Sequence, residues 1–378
     1  MDRNTIKTPF FVVEEERLVH NLEILKSIKE RTGCHILLAQ KCFSMYKAYP
    51  LMGKYLDGTT ASGLHEAKLG KEYMGGENHI YAGAYREDEI DEILSLCDHI
   101  VFNSFSQWNR FKKKAVSSGK ECGLRINPQC STQKGHEMYD PCAPYSRMGI
   151  TKEKFLEEDL HGISGLHFHT LCEQNSDALL ITLEKVEEEF GSVLSKMKWL
   201  NLGGGHHITR EDYDIETLVS CIRHMQKKYG LTIYLEPGEA AALNAGFLVS
   251  TVLDVIENEI KIAILDTSPA CHMPDVLEMP YTPPILHGKS AEITQIKAEP
   301  YGYRLAGPTC LAGDIIGDYI FEKELNIGDR VIFCDMAIYS MVKTNTFNGM
   351  NLPSLAYKKD GKIKVFKTFG YEDFKKRL

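Results

Sequence analysis

The spacing of apolar and polar positions changes once along the chain, near residue 238. Between residues 35 and 236, short apolar runs rich in β-branched residues alternate with longer stretches whose apolar positions recur every three or four residues. Eight such runs stand out: HILLA (35–39), LDGTTAS (56–62), HIYAG (79–83), HIVFN (99–103), CGLRI (122–126), GISGLHFH (162–169), MKWLNL (197–202) and TIYLE (232–236). Segments 63–74, 104–118, 175–196 and 214–229 between them carry helical spacing with many Lys and Glu. Eight strands alternating with helices predict an α/β fold, a closed (β/α)8 TIM-type barrel. The rival layout, an open doubly wound sheet, calls for a glycine cluster after the first strand, and HILLAQKC has none.

After Gly238 the helical pattern gives way to turns rich in Gly, Pro and Asp. FLVSTVLDVI (247–256), IKIAILDT (260–267), RVIFCDM (330–336) and KIKVFK (362–367) read as strands. This predicts a second, mostly antiparallel β-barrel domain. The expected division is a barrel at 14–245 and a β domain at 246–378, joined by an N-terminal strand within 1–13 that contains PFFVV. No flexible linker marks the boundary, which points to a rigid two-domain unit.

Composition narrows the function classes. Of 378 residues, 43% are hydrophobic and 25% charged, which excludes a disordered or disulfide-stapled chain. Against 44 basic residues stand 52 acidic ones, a net charge of −8. That sign argues against a nucleic-acid partner and favours a small cationic one. The eleven cysteines form no C-x-x-C pair. With no signal-like segment and no apolar stretch of about 20 residues, they predict reduced thiols in a cytoplasmic protein with no membrane association.

In a parallel barrel, reactive groups lie just past the carboxyl ends of the strands. Those positions hold Lys41, Arg125, His169, Gly203-Gly204-Gly205 and Glu236. Lys41 follows a run that should be buried, where a lysine is costly unless it is paired or covalently used; the bland alternative is a snorkelling surface lysine. The glycine run suits a phosphate at the seventh strand loop, and equally a tight turn. Glu236 can pair with a protonated ring nitrogen or form an ordinary salt bridge. His167, His169 and His206, with Glu236 as base, also permit a metal-dependent hydrolase, although no Asp or Cys completes a ligand set in sequence. In the second domain, GPTCLAGD (307–314) presents Cys310 on a rigid turn, where the alternative is a small packed residue.

Taken together and in order, these segments resemble the fold type III pyridoxal-phosphate decarboxylases, the group of ornithine, arginine and diaminopimelate decarboxylases. The likeness spans nearly the whole chain: the lysine after strand one, F-H after strand six, G-G-G after strand seven, E-P-G after strand eight, then G-P-T-C and Y…T-F-N-G. It implies pyridoxal 5'-phosphate as cofactor, bound covalently by Lys41. It further implies that His169 stacks on the ring, Gly204 and Gly205 hold the phosphate and Glu236 faces the pyridine nitrogen. A homodimer with shared active sites is also implied, with Tyr339 reaching the phosphate from the partner chain and Cys310 supplying the proton that replaces carbon dioxide.

Three departures narrow the branch. Glu239 stands where ornithine-type enzymes carry a phosphate-side arginine, Leu311 replaces an acidic residue after the cysteine, and Thr170-Leu171-Cys172 replaces a Gly-Ser element. With LLAQKCFS, LHFHTLCEQ, LNLGGGHH, EPGEA and ACHMPDVLEMP, the chain looks like the carboxynorspermidine (carboxyspermidine) decarboxylases. That likeness implies a polyamine-like substrate held by Glu239 and Asp275. A racemase of the same fold type and a non-catalytic binding relative are the remaining alternatives; Cys310 favours decarboxylation over the first, and intact Lys41, Gly204, Glu236 and Cys310 argue against the second.

Overall fold

The computed structural model describes residues 6–133 and 137–378. The chain forms two compact units, one of His20–Ala241 and one of Met1–Val19 with Ala242–Leu378.

The first strand, β1 (Phe10–Glu14), belongs to the second of these. The barrel unit holds β2 (His35–Ala39), β3 (Gly58–Ala61), β4 (Glu77–Tyr81), β5 (His99–Phe102), β6 (Glu121–Arg125), β7 (Gly165–His167), β8 (Trp199–Asn201) and β9 (Thr232–Leu235). Each pairs in parallel with the next, and β9 returns to β2 with His35 opposite Tyr234. The connecting helices bury one apolar stripe each. Ile215–Tyr229 hides Leu218, Val219, Ile222 and Met225; Asp214 caps its start by accepting the Thr217 N–H at 3.0 Å, and Gly230, at φ +71°, ends it in the left-handed region. No helix among the described residues is long and apolar enough to cross a membrane.

Inside the barrel, Trp199 packs with Leu37, Val101 and Tyr234. Its indole lies over two strand glycines: a Cβ at Gly165 would sit 2.0 Å from the ring and one at Gly123 would sit 2.3 Å away. Those glycines exist to admit the indole. Gly165→Ala is therefore expected to destabilise the protein by about 1–3 kcal/mol, the usual range for overpacking. A thermal melt checks this, and an unchanged melting temperature would mean that Trp199 moves aside at no cost.

The other unit is built on a nine-stranded, mostly antiparallel sheet. Its long strand β10 (Gly246–Asn258) is followed by β11 (Ile260–Leu265), β12 (Gly288–Ser290), β13 (Gly302–Ala306), β14 (Ile315–Phe321), β15 (Arg330–Cys334), β16 (Ser354–Lys359) and β17 (Lys362–Lys367). The pairing runs β12-β14-β13-β11-β10-β1-β16-β17, with β15 also on β10, and Ile285, three residues before β12, bridges to Phe333 of β15. β1 thus lies antiparallel to β10 on one side and parallel to β16 on the other. Its two faces go to different cores: Phe11 joins Leu248, Leu265 and Phe333, while Phe10 and Val12 join Val249 and Ala356.

Candidate active site

The carboxyl ends of the barrel strands converge on one cavity of about 190 Å³, lined by Lys41, Tyr81, Arg125, His167, His169 and Glu236 among others. Five of the sequence candidates, Lys41, Arg125, His167, His169 and Glu236, therefore meet there. Each arrives for a local reason. Lys41 lies two residues past β2, Arg125 and His167 close β6 and β7, and Glu236 follows β9 directly.

Glu236 is buried at 8% exposure, and both of its oxygens are engaged. The Asn201 amide donates to Oε1 at 2.8 Å, and His167 Nε2 lies 3.3 Å from Oε2. Burial alone would raise this carboxyl, but the His167 charge and hydrogen bond, together with Asn201, outweigh it and bring it down to about 2. Burial also lowers the His167 pKa, in spite of Glu236. Glu236 is therefore ionised, with His167 Nε2 on one carboxylate oxygen and the Asn201 amide on the other. The Nδ1 of His167 is left buried without a hydrogen-bond partner among the described residues.

Lys41 keeps open surface toward the cavity, yet the walls around it strip water from its ammonium. Desolvation, helped by the Arg125 charge, lowers its pKa from 10.5. Arg125 is itself fixed: its guanidinium stacks 4.5 Å from the Tyr81 ring centroid and donates to the His169 carbonyl at 3.0 Å. His169 is held well below the ordinary imidazole pKa, first by burial and then by Lys41 and Arg125. Its Nδ1 accepts the Gly204 N–H at 2.9 Å, which leaves the proton of the neutral ring on Nε2.

The glycine run turns against the chain that leaves β7. Gly203 (φ +68°) and Gly205 (φ +81°) adopt the left-handed region, and a Cβ at Gly205 would fall 1.9 Å from the Leu171 carbonyl oxygen. The turn requires glycine whatever it binds. The Gly203 N–H is given to Asn201 Oδ1 at 2.8 Å and that of Gly204 to His169, so an anion on the Gly204 N–H takes it from the imidazole.

Glu239 opens the short helix Glu239–Ala242. Its Oε1 is 3.4 Å from Nε2 of His207, whose Nδ1 lies 3.2 Å from the Arg210 guanidinium. Glu173 completes this group, with ligand-type atoms of all three residues within 4.8 Å of one another. Among the described residues, His167, His169 and His206 form no such group. The Nε2 of His206 instead faces the Leu202 carbonyl at 3.3 Å, and burial lowers its pKa to about 4. The histidine set of a barrel hydrolase is not assembled.

Three candidates lie in the sheet unit. Cys310 is exposed on a loop organised by the buried Asp314. That carboxylate accepts from Ser268 Oγ at 2.7 Å, the Ala270 N–H at 3.1 Å and Thr309 Oγ1 at 2.7 Å. Asn348 then pins the loop tip by accepting the Cys310 N–H at 2.7 Å. Tyr339 sits at φ +51° with the Lys343 ammonium 6.0 Å from its ring centroid. Lys343 also pairs with Asp275 and Glu278. Sequence reasoning missed the supporting residues Tyr81, Asn201, Asp314 and Asn348. Asp314 and Asn348 carried a signal, as the closing residue of GPTCLAGD and the asparagine of T-F-N-G.

Comparison with known proteins agrees with this geometry. A family described as pyridoxal-dependent decarboxylase, C-terminal sheet domain, matches residues 10–337. The chain is 45% identical to the carboxynorspermidine/carboxyspermidine decarboxylase of Campylobacter jejuni, over 98% of each chain. It is 41% identical to the carboxyaminopropylagmatine decarboxylase of a Synechocystis species, over 99% of this chain and 96% of that one. The crystal structure of Campylobacter jejuni carboxynorspermidine decarboxylase complexed with norspermidine superimposes with a TM-score of 0.91 at 44% identity, covering 99% of this chain and all of the other. The chain belongs to the fold type III pyridoxal-phosphate-dependent decarboxylase family, whose members are amino-acid decarboxylases.

Proposed function

We propose that this chain binds pyridoxal 5'-phosphate at the mouth of its barrel and decarboxylates a carboxylated polyamine of the carboxynorspermidine/carboxyspermidine class, releasing norspermidine or spermidine. The observation that carries this reading is one cavity lined by both an amine of lowered basicity, Lys41, and an ionised buried carboxylate, Glu236. The residues fit the cofactor in three respects. A desolvated lysine offers the free amine that captures an aldehyde. A carboxylate locked in its charged form favours a protonated ring nitrogen. The His169 imidazole, kept neutral, offers a flat face. Bound there, pyridoxal phosphate supplies an electron sink for the pair released when the Cα–carboxylate bond breaks.

The protein's own work is placement. Asn201 and His167 hold Glu236 ionised, and Arg125, braced on Tyr81, fixes the His169 backbone. Cys310, at the tip of its Asp314-organised loop, is the acid that delivers a proton to Cα after carbon dioxide leaves. Glu239 favours a cationic tail, as do the Asp275 and Glu278 carboxylates, which already hold the Lys343 ammonium. Unit charges about 4 Å apart attract by roughly 4 kcal/mol at a surface-like dielectric, enough to order a tail of ammonium groups. All eleven cysteines are thiols, which suits a reducing cytoplasm.

The test is carbon dioxide release from purified enzyme with pyridoxal phosphate, using carboxynorspermidine, carboxyspermidine, carboxyaminopropylagmatine, ornithine and diaminopimelate. We expect a carboxylated triamine to lead in kcat/KM by roughly 100-fold or more, about 2.7 kcal/mol. A lead for ornithine or diaminopimelate overturns the assignment, and a lead for the agmatine derivative moves it to a guanidinium-tailed substrate.

The sites are also proposed to be shared across a homodimer, with Cys310 and Tyr339 supplied by the partner. Mixing inactive Lys41→Ala and Cys310→Ala subunits is then expected to restore about a quarter of wild-type activity. Half of the randomly assorted dimers are mixed, and each has one intact site. No recovery after subunit exchange would place Cys310 in the site of its own chain.

A further inference from the structure

The amino-terminal end of the barrel, opposite the cavity just described, holds an unusual layer. Interiors of such barrels are dominated by branched apolar side chains. Here His35 opens β2, Glu77 opens β4, His99 opens β5, and His79 follows two residues into β4. Glu77 is bound on both oxygens: His35 Nδ1 lies 2.8 Å from Oε1, and His79 Nε2 lies 2.9 Å from Oε2. The His79 and His99 rings stack with centroids 4.0 Å apart and planes 9° apart. His99 is 7% exposed, and its Nδ1 has no hydrogen-bond partner among the described residues. One donor atom from each of Glu77, His79 and His99 lies within 4.8 Å of the others.

An ion pair between Glu77 and its two neighbouring histidines accounts for three of these four residues. It leaves the His99 nitrogen unspent, and an unsatisfied buried polar atom costs about 1–3 kcal/mol. We propose that this end of the barrel binds a divalent transition-metal ion of the zinc class through Glu77, His79 and His99, with His35 as a fourth donor. Two or three imidazoles and a carboxylate form a zinc-type donor set, whereas magnesium and calcium call for oxygen alone. With zinc–nitrogen and zinc–oxygen bonds near 2.0–2.2 Å, tetrahedral donors stand about 3.4 Å apart. The three atoms therefore need to close by at most about 1.4 Å, which requires the His79 and His99 rings to turn out of their parallel stack so that their lone pairs converge. The ion takes the place of the proton held between Glu77 and His79, and that proton leaves to solvent. Entry is direct, because the His35 and Glu77 side chains are 36% and 29% exposed. The bound ion would tie β2, β4 and β5 together, remote from decarboxylation.

The experiment uses the full-length enzyme after treatment with a chelator, titrated with Zn²⁺ against a chromophoric competitor and with Co²⁺ by its visible ligand-field absorption. We expect one equivalent bound with a Kd below about 10 μM, weakened at least tenfold in both His99→Phe and Glu77→Gln. His99→Phe retains a ring to stack on His79, and Glu77→Gln is a partly exposed change that guards against a folding defect in the first. Glu173→Gln reports on the acidic group at the other end of the barrel. No binding at 100 μM Zn²⁺ overturns the proposal. So does binding that survives both His99→Phe and Glu77→Gln, or binding that disappears in Glu173→Gln alone. The readout is metal occupancy, so it stands or falls separately from the decarboxylase reading.

Discussion

Lys41→Ala is expected to abolish decarboxylation, with a loss on the order of 10³–10⁵-fold, about 4–7 kcal/mol. The physical reason lies in the surroundings of this lysine. Its ammonium has lost water to the cavity walls and stands near Arg125, so the neutral amine is reached at a lower pH than for a surface lysine. A free amine is the nucleophile that aldehyde capture requires, and among the described residues no other lysine lines the cavity. The measurement is twofold: turnover, and borohydride reduction followed by peptide mapping. The wild type should yield a pyridoxyl-labelled peptide spanning Lys41, and the variant should yield none. Full turnover by Lys41→Ala would remove the basis of the proposed chemistry.

Glu236→Gln is expected to lower kcat/KM by about 10²–10³-fold, with the protein still folded. A charge-assisted hydrogen bond to a buried cation is worth roughly 3–4 kcal/mol, and the amide keeps the shape while discarding the charge. The pH profile separates this role from a merely structural one. Because Asn201 and His167 bring the carboxyl down to about 2, Glu236 is ionised throughout the working range. The variant should lose activity by the same factor from pH 6 to pH 9. A loss that recovers at low pH would show instead that Glu236 works as a titrating acid or base.

The barrel was legible in the sequence because its strands are buried on both faces and therefore read as apolar runs. HILLA and TIYLE coincide with β2 and β9 to within a residue, and the four helical segments agree with the structure to within two residues at either end. The run HIYAG is offset from β4, which begins at Glu77. A glutamate opening a buried strand breaks the apolar pattern, and only its contacts with His35 and His79 explain its presence. In the sheet unit, β12, β13, β14 and β16 were not read as strands. β14 carries Gly317 and Asp318, which read as a turn until the register sets Asp318 opposite Arg304 with hydrogen bonds of 2.7 and 2.8 Å.

The site divides along the same line. Lys41, His169 and Glu236 were visible because each interrupts or ends an apolar run where a barrel displays its chemistry. Tyr81 and Asn201 lie inside strand-like runs and look like ordinary strand residues, so their roles appear only once β4, β6, β8 and β9 are closed into a ring. The glycine run was visible as a pattern, but its first cause is the approach of the Leu171 carbonyl.

The place of β1 between β10 and β16 has a consequence for how the molecule is made. Residues 10–14 leave the ribosome about 340 residues ahead of one of their hydrogen-bonded neighbours, Ser354–Lys359. At about 5–20 residues per second, the opening strand waits roughly 20–70 seconds for that neighbour to be synthesised. Throughout that interval a short, strongly apolar segment has an unfilled edge, the kind of surface that recruits strands from other nascent chains. The barrel segment, His20–Ala241, is complete well before then, so the growing polypeptide carries a finished half and an adhesive tail. Crowded synthesis is thus a condition under which this architecture is exposed to aggregation.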